Sequence, residues 1–176
     1  MANVCTNVMT GSAGVIVNPL PNAYLVSGGG NYCSGGTGVH VMLSGSNLGI
    51  NYQLTLGGVP TGTIIAGTGM GLVFGPVTAA GLYGIQATNT STGCIKLMTN
   101  TVSVGINPLP AIHTVVSTSS SYCAGGAGVN VYIDGSDLGI SYQLYNGTTT
   151  VGFPKPGTGD SISFGYITFP GSYTIV

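Results

Sequence analysis

The sequence has no tryptophan, no glutamate and no arginine. Its formal charges are Lys96, Lys155, Asp134, Asp137 and Asp160, and charged residues make up 3% of the chain. An ordinary soluble domain is about one-quarter charged. That scarcity excludes whole classes of function. Nucleic-acid binding needs clustered cations to displace counterions from phosphates, and two lysines do not make a cluster. An anionic membrane surface asks for the same cations. Glycoside hydrolysis needs a pair of facing acids, which three scattered aspartates do not offer. No apolar run approaches the roughly 18 residues of a membrane helix, so no membrane insertion is expected. The opening stretch MANVCTNVMTGSAG has neither a basic n-region nor an apolar h-region, so no signal peptide is read there.

What the chain does have is itself, twice. The stretch from Tyr32, YCSGGTGVHVMLSGSNLGINYQL, returns from Tyr122 as YCAGGAGVNVYIDGSDLGISYQL. At this offset 26 of 55 aligned positions are identical. A second match, one residue shorter in offset, joins CTNVMTGSAGVIVNPLP from Cys5 to CIKLMTNTVSVGINPLP from Cys94, with 8 of 17 positions identical. The repeat is therefore about 90 residues and ends in NPLP. Residues 1–21 read as the terminal strand and linker of a preceding or neighbouring unit. Residues 22–110 read as one complete unit, and residues 111–176 as a second unit without its last strand.

Each unit alternates apolar and polar residues with period two, the mark of half-buried strands. The inward sets are Val39, Val41 and Leu43; Ile50, Tyr52 and Leu54; Leu72 and Phe74; Tyr83 and Ile85; and Val102, Val104 and Ile106. The second unit repeats them as Val129, Val131 and Ile133; Ile140, Tyr142 and Leu144; Ile162 and Phe164; and Tyr173 and Ile175. Ala13, Val15 and Val17 match the last set. Glycine-rich turns separate the runs, and no stretch has helical periodicity. About seven short strands in ~90 residues is the pattern of an immunoglobulin-like sandwich. Gly81-Leu82-Tyr83 and Gly171-Ser172-Tyr173 resemble its tyrosine corner. The fold expected is all-β: tandem immunoglobulin-like β-sandwiches, the last lacking its final strand within the chain. The two prolines of NPLP read as a stiff, short linker.

An open strand edge is a template for pairing. Two readings complete it. Residues 1–17 of another copy supply the strand, with Val8, Ala13, Val15 and Val17 as the completing side chains and Tyr173 and Ile175 as the accepting edge. Alternatively, the chain is a window onto a longer repetitive polypeptide. Either way Val176 of one copy sits near Met1 of the next.

The four cysteines fall at repeat-equivalent positions, Cys5 with Cys94 and Cys33 with Cys123. They suggest disulfides and an oxidising compartment rather than zinc, since no CxxC occurs and the two histidines do not repeat. Two pairings stay open. One joins Cys33 to Cys94 within a unit, leaving Cys123 for Cys5 of a neighbour. The other staples unit to unit: Cys94 to Cys123 of the preceding copy, and Cys33 to Cys5 of the next.

The motifs YCSGGTGVHVMLSGS, GINYQL, GLYGIQATNTSTGC and NPLP together resemble the Ig-like and PKD-like tandem repeats of large secreted cell-surface proteins of Bacteroidetes, of the adhesin or gliding-associated kind. The resemblance covers essentially the whole chain. It implies export to the cell surface and a role in adhesion or gliding. Asp160-Ser161-Ile162 is similar to the O-glycan acceptor of such proteins, which makes Ser161 a candidate. Asn89 and Asn146 open formal sequons.

No residue set carries catalysis. His40 alternates with inward valines, so it reads as a surface residue, and its counterpart is Asn130. The Asp134–Asp137 stretch DGSD could form half a calcium loop. Its counterpart is Ser44-Gly45-Ser46-Asn47, and a structural ion should recur, so a polar turn is the better reading. No catalytic residue, metal or cofactor is expected. The reading that results is not an enzyme. It is a structural subunit or segment of a secreted, extracellular or cell-surface fibre or adhesin stalk, with copies of itself as head-to-tail partners. The rival is a glycan- or surface-binding adhesin module, which should show loop aromatics or charges that differ between the repeats.

Overall fold

The computed structural model describes residues 4–176. The chain divides into two compact units, one running to Asn107 and the other spanning Pro108–Val176. All regular structure among the described residues is β. No helix there is long and apolar enough to cross a membrane.

Among its described residues unit 1 has nine strands: β1 (Val26–Gly28), β2 (Gly30–Cys33), β3 (Val39–Leu43), β4 (Ile50–Leu56), β5 (Val59–Ala66), β6 (Leu72–Val77), β7 (Gly81–Asn89), β8 (Ile95–Leu97) and β9 (Val102–Asn107). They form two sheets. One has the order β1-β3-β6; the other runs β2-β9-β7-β4-β5, with β8 also on β7. All neighbours are antiparallel except β2 and β9, which run parallel. The chain leaves one sheet at Gly28 and joins the other at Gly30. Gly28, Gly29 and Gly30 take φ of 89°, 71° and 111°, values that side chains with a Cβ rarely adopt. The glycine run is thus the hinge by which one edge segment serves both sheets.

The two sheets of unit 1 share one core. Val26, Val41, Leu43, Leu72 and Phe74 come from the first sheet, and Ile50, Tyr52, Leu54, Tyr83, Ile85, Ala87 and Val104 from the second, with Met98 just beyond β8. The alternating pattern explains this division, since every second residue of a strand faces the same way. One member of the expected inward sets is corrected. Ile106 is 44% exposed, because β9 beyond Val104 leaves β7 and pairs only with β2.

Unit 2 has six strands: β10 (Val115–Ser117), β11 (Val129–Ile133), β12 (Ser141–Asn146), β13 (Thr149–Pro156), β14 (Ile162–Ile167) and β15 (Tyr173–Ile175). They form the sheets β10-β11-β14 and β13-β12-β15. Here β10 corresponds to β1, β11 to β3, β12 to β4, β13 to β5, β14 to β6 and β15 to β7. The shared register fixes the match: Val26 sits opposite Leu43, and Val115 opposite Ile133. No described strand of unit 2 takes the places of β2, β8 and β9. Outer strands β5 and β13 are interrupted by bulges, and they carry Pro60 and the run Pro154-Lys155-Pro156.

Side-chain hydrogen bonds repeat where the two units share sequence. Tyr83 donates its hydroxyl to the Ala79 carbonyl at 2.9 Å and Tyr173 to that of Phe169 at 2.7 Å, the tyrosine-corner bond the sequence suggested. Buried Ser46 and Ser136 donate to the carbonyls of Met70 and Asp160, each at 2.6 Å. The Tyr52 and Tyr142 hydroxyls accept from the amides of Asn47 and Asp137.

Candidate functional site: an open groove in unit 2

The core of unit 2 is smaller than its sequence implies. Its main buried cluster is Ile133, Tyr142 and Ile162, with Ile140, Phe164 and Ile175 only partly covered. Val115 is 39% exposed, whereas Val26, its counterpart, is fully buried. Tyr173 and Ile175 are half-buried, whereas Tyr83 and Ile85 are 3% and 1% exposed.

Val115 and Tyr173 border a groove of about 620 Å³. One wall is Val115, Val116, Val129 and Val131; the other is Gly171, Ser172 and Tyr173, with Ser119–Tyr122 along the rim. Unit 1 shows what such a groove accommodates. Val104 of β9 lies between Gly30 of β2 and Gly81 of β7, paired to both. Just before it, the Thr99 carbonyl accepts from the Val26 amide at 2.9 Å, and the Met98 amide donates to the Ile85 carbonyl at 2.8 Å. The groove in unit 2 is the place that β9 and its approach occupy in unit 1. Residues 120–123, the counterpart of β2, form no strand there, because a strand needs a partner.

The repeat-equivalent of β9 lies elsewhere in the chain, at Ala13–Asn18. Residues 4–18 form no strand or helix and are exposed throughout. Val15, the counterpart of buried Val104, is 89% exposed, and Met9, the counterpart of buried Met98, is 78% exposed. Ala13 matches half-buried Val102. The other two completing residues expected from sequence match outward positions: Leu97 for Val8 is 61% exposed, and Ile106 for Val17 is 44% exposed. Met9 is the inward residue that the sequence reading missed. Period-two alternation points to Val8, but β8 ends at Leu97 and the next residue turns into the core. The expected approach of Val176 to Met1 of another copy involves a residue outside those described.

The four cysteines are free thiols; Cys5, Cys33 and Cys123 are exposed and Cys94 is half-buried. Cys33 ends β2, opposite Asn107 at the end of β9. Cys94 lies in the turn between β7 and β8, past Asn89. Those two levels are about eleven strand residues apart, or roughly 35 Å at ~3.3 Å per residue. A disulfide needs Cα atoms within about 7 Å.

The remaining candidates sit in ordinary polar surroundings. His40 is exposed. Asp134 accepts from the Thr114 amide at 2.8 Å, and this bond holds its carboxyl below the usual range. Asp137 accepts from the Ala111 amide at 2.6 Å and lies 3.4 Å from His113. The DGSD carboxylates thus bind the segment that enters unit 2. Unit 1 does the same with neutral groups: Ser44 accepts from the Leu25 amide, and Tyr24 donates to Asn47. His113 is therefore the structural counterpart of Tyr24. No group of three or more His, Cys, Asp or Glu among the described residues is placed to hold a metal. Ser161 is exposed before β14. Asn89 accepts from the Ser91 and Thr92 amides, and Asn146 donates to the Pro170 carbonyl at 3.4 Å.

No family model matches the chain. No curated protein matches it either. The resemblance to Bacteroidetes surface repeats thus gains no support from relatives. Among solved structures the human OSCAR ligand-binding domain is similar, at 13% identity and a TM-score of 0.39, over 89% of each chain. A likeness at that level decides neither fold nor function.

Proposed function

We propose that this protein is a structural subunit or segment of an extracellular fibre or adhesin stalk. Its beads are immunoglobulin-like sandwiches, and copies join head-to-tail when Cys5–Asn18 of one completes unit 2 of another. The observation that carries this reading is that one chain holds two unsatisfied halves. Unit 2 has an open groove lined by valines and serines where unit 1 has β9, and the chain holds an exposed second version of β9. Set in that register, Val15 pairs with Ser120 on one side and Gly171 on the other, while Ala13 faces Tyr173. Burying Val15 and Met9 is worth about 1.5–3 kcal/mol each. The main chain gains a ladder on both flanks, as in other strand additions. Residues 1–21 then belong, in function, to the neighbouring bead.

The full-length chain and its Val15→Asp variant, compared by sedimentation and electron microscopy, test this. The wild type should form multiples of the 17.5 kDa chain and the variant should stay monomeric. A peptide of residues 4–18 added to the variant should bind one to one. A wild type that is monomeric at every concentration, or a variant that assembles equally well, sinks the reading. In the second case a segment other than residues 5–18 fills the groove.

A second reading has its own observation. Phe153, Tyr166 and Phe169 are exposed by 89%, 68% and 77%, and their counterparts in unit 1 are Thr63, Pro76 and Ala79. Tyr166 and Phe169 border a cleft of about 550 Å³ with Asn146 and Thr149. Exposed rings beside polar groups suit the faces and hydroxyls of a sugar. Phe153→Ala and Tyr166→Ala, both outside the assembly groove, should abolish retention on immobilised surface glycans without changing assembly. Equal retention by both variants and wild type would remove this reading.

A further inference from the structure

We propose that each joint between copies carries two disulfides, Cys94 to Cys123 and Cys5 to Cys33, and that none closes within one chain. This rests on the strand-completion reading above. The argument starts from Asn18. Cys94 Sγ lies 3.9 Å from the Asn18 carbonyl of its own chain. Asn18 is the repeat counterpart of Asn107, which ends β9. Asn107 pairs in register with Cys33, and its carbonyl accepts from the Ser34 amide at 2.8 Å. When residues 13–18 of a donor copy enter the groove of an acceptor, the donor's Asn18 falls opposite the acceptor's Cys123. The donor's Cys94 is already beside that same asparagine. Cys94 and Cys123 then lie beside the same residue, Cys94 from the β7–β8 turn and Cys123 from the neighbouring strand about 4.8 Å away.

The second pair follows from the same symmetry. The donor's Cys5 takes the place that Cys94 has in unit 1. Its neighbour there, by repeat, is Asn107 of the acceptor, the counterpart of Asn18. Asn107 already lies opposite the acceptor's Cys33. Each asparagine thus has one cysteine from each copy beside it. Within one chain the only pairing of the complete unit, Cys33 with Cys94, is excluded by the roughly 35 Å between their strand levels.

The oxidant is a small-molecule disulfide of the oxidised-glutathione class. For each bridge two protein thiols lose two protons and two electrons to it, one S–S bond forms in the protein, one breaks in the oxidant, and two small thiols leave. Exposure of three of the four thiols in the free chain lets this exchange follow docking.

The test uses four full-length variants assembled in a glutathione redox buffer. They are run on non-reducing denaturing gels, and the cross-linked peptides of each are mapped by mass spectrometry. Cys5→Ser with Cys33→Ser keeps the Cys94–Cys123 pair and should give a ladder that collapses on reduction. Cys94→Ser with Cys123→Ser should do the same through Cys5–Cys33. Cys5→Ser with Cys123→Ser, and Cys33→Ser with Cys94→Ser, leave no partners. They should lose at least ten-fold of the ladder while still forming fibres, seen by microscopy, that a reducing agent does not disperse. Cross-links mapped as Cys33–Cys94 or Cys5–Cys123, or equal ladders from all four variants, overturn the proposal. Non-covalent fibres with four free thiols overturn the staples but leave strand completion standing. A wild type that forms neither ladder nor fibre overturns both.

Discussion

Units 1 and 2 have nearly interchangeable cores on paper and unequal ones in space. Tyr83 and Tyr173 make the same hydrogen bond four residues back along the chain, yet one is buried and the other half-open. Phe74 is 2% exposed, while Phe164 is only partly covered. Val26 is fully buried, while Val115 is 39% exposed. The tyrosine and valine differences lie beside β9 or its approach. Elsewhere Leu43 and Ile133 are both buried, as are Leu54 and Leu144. Burial in this fold is a property of the neighbouring strand as much as of the residue itself.

The largest way to break the comparison is a charge in β9, the central one of the three strands that only unit 1 has. Val104→Asp buries a carboxylate in an apolar core and should cost unit 1 at least about 4 kcal/mol in denaturant unfolding. Val15→Asp, its counterpart, should move the monomer by no more than about 0.5 kcal/mol. Equal effects would show that residues 4–18 are packed in the free chain.

Next in size is truncation on the accepting strand. Ile85→Ala should cost about 2–5 kcal/mol. Ile175→Ala should cost clearly less in the monomer and approach the unit 1 value once the groove is filled, which calorimetry with and without the peptide of residues 4–18 would read. A smaller change should be the same in both units. Ser46→Ala and Ser136→Ala each leave a carbonyl and an amide without their shared hydroxyl, at about 1–3 kcal/mol apiece. Unequal costs would mean that the units differ beyond the missing strand.

The smallest effect is titration. Asp134 has its folded pKa depressed, chiefly by the Thr114 amide. Its stabilising contribution is therefore present above the unfolded value of 3.8 and fades as pH falls through the lower folded value. Unit 1 uses Ser44 at this place and has nothing to titrate. Hydrogen exchange at the Thr114 amide should quicken below about pH 4 relative to Leu25, and Asp134→Ser should remove that acid response.

The strands were legible because two copies of one alternating pattern vote for the same inward residues. Tyr52 and Tyr142, or Leu43 and Ile133, need no structure to be placed. Three features were not legible, for one physical reason. The split of the first edge into β1 and β2, the outward turn of Ile106 and the inward turn of Met98 all depend on which strand lies alongside. Period two reports the face of a strand but not the residue at which the strand changes partner. The glycines at 28–30 read as a turn, and they are the crossing between sheets. The cysteine pairing stayed open in the sequence because it depends on how far apart the two ends of β7 are.

The outer strands β5 and β13 set the valence of the molecule. Proline withholds a ladder donor and lysine resists a dry neighbour, so Pro60 in β5 and Pro154, Lys155 and Pro156 in β13 make those edges poor templates. Under the strand-completion proposal a chain with one plug and one socket makes two connections along its length, and these two edges add none. Lateral pairing through β5 or β13 is disfavoured.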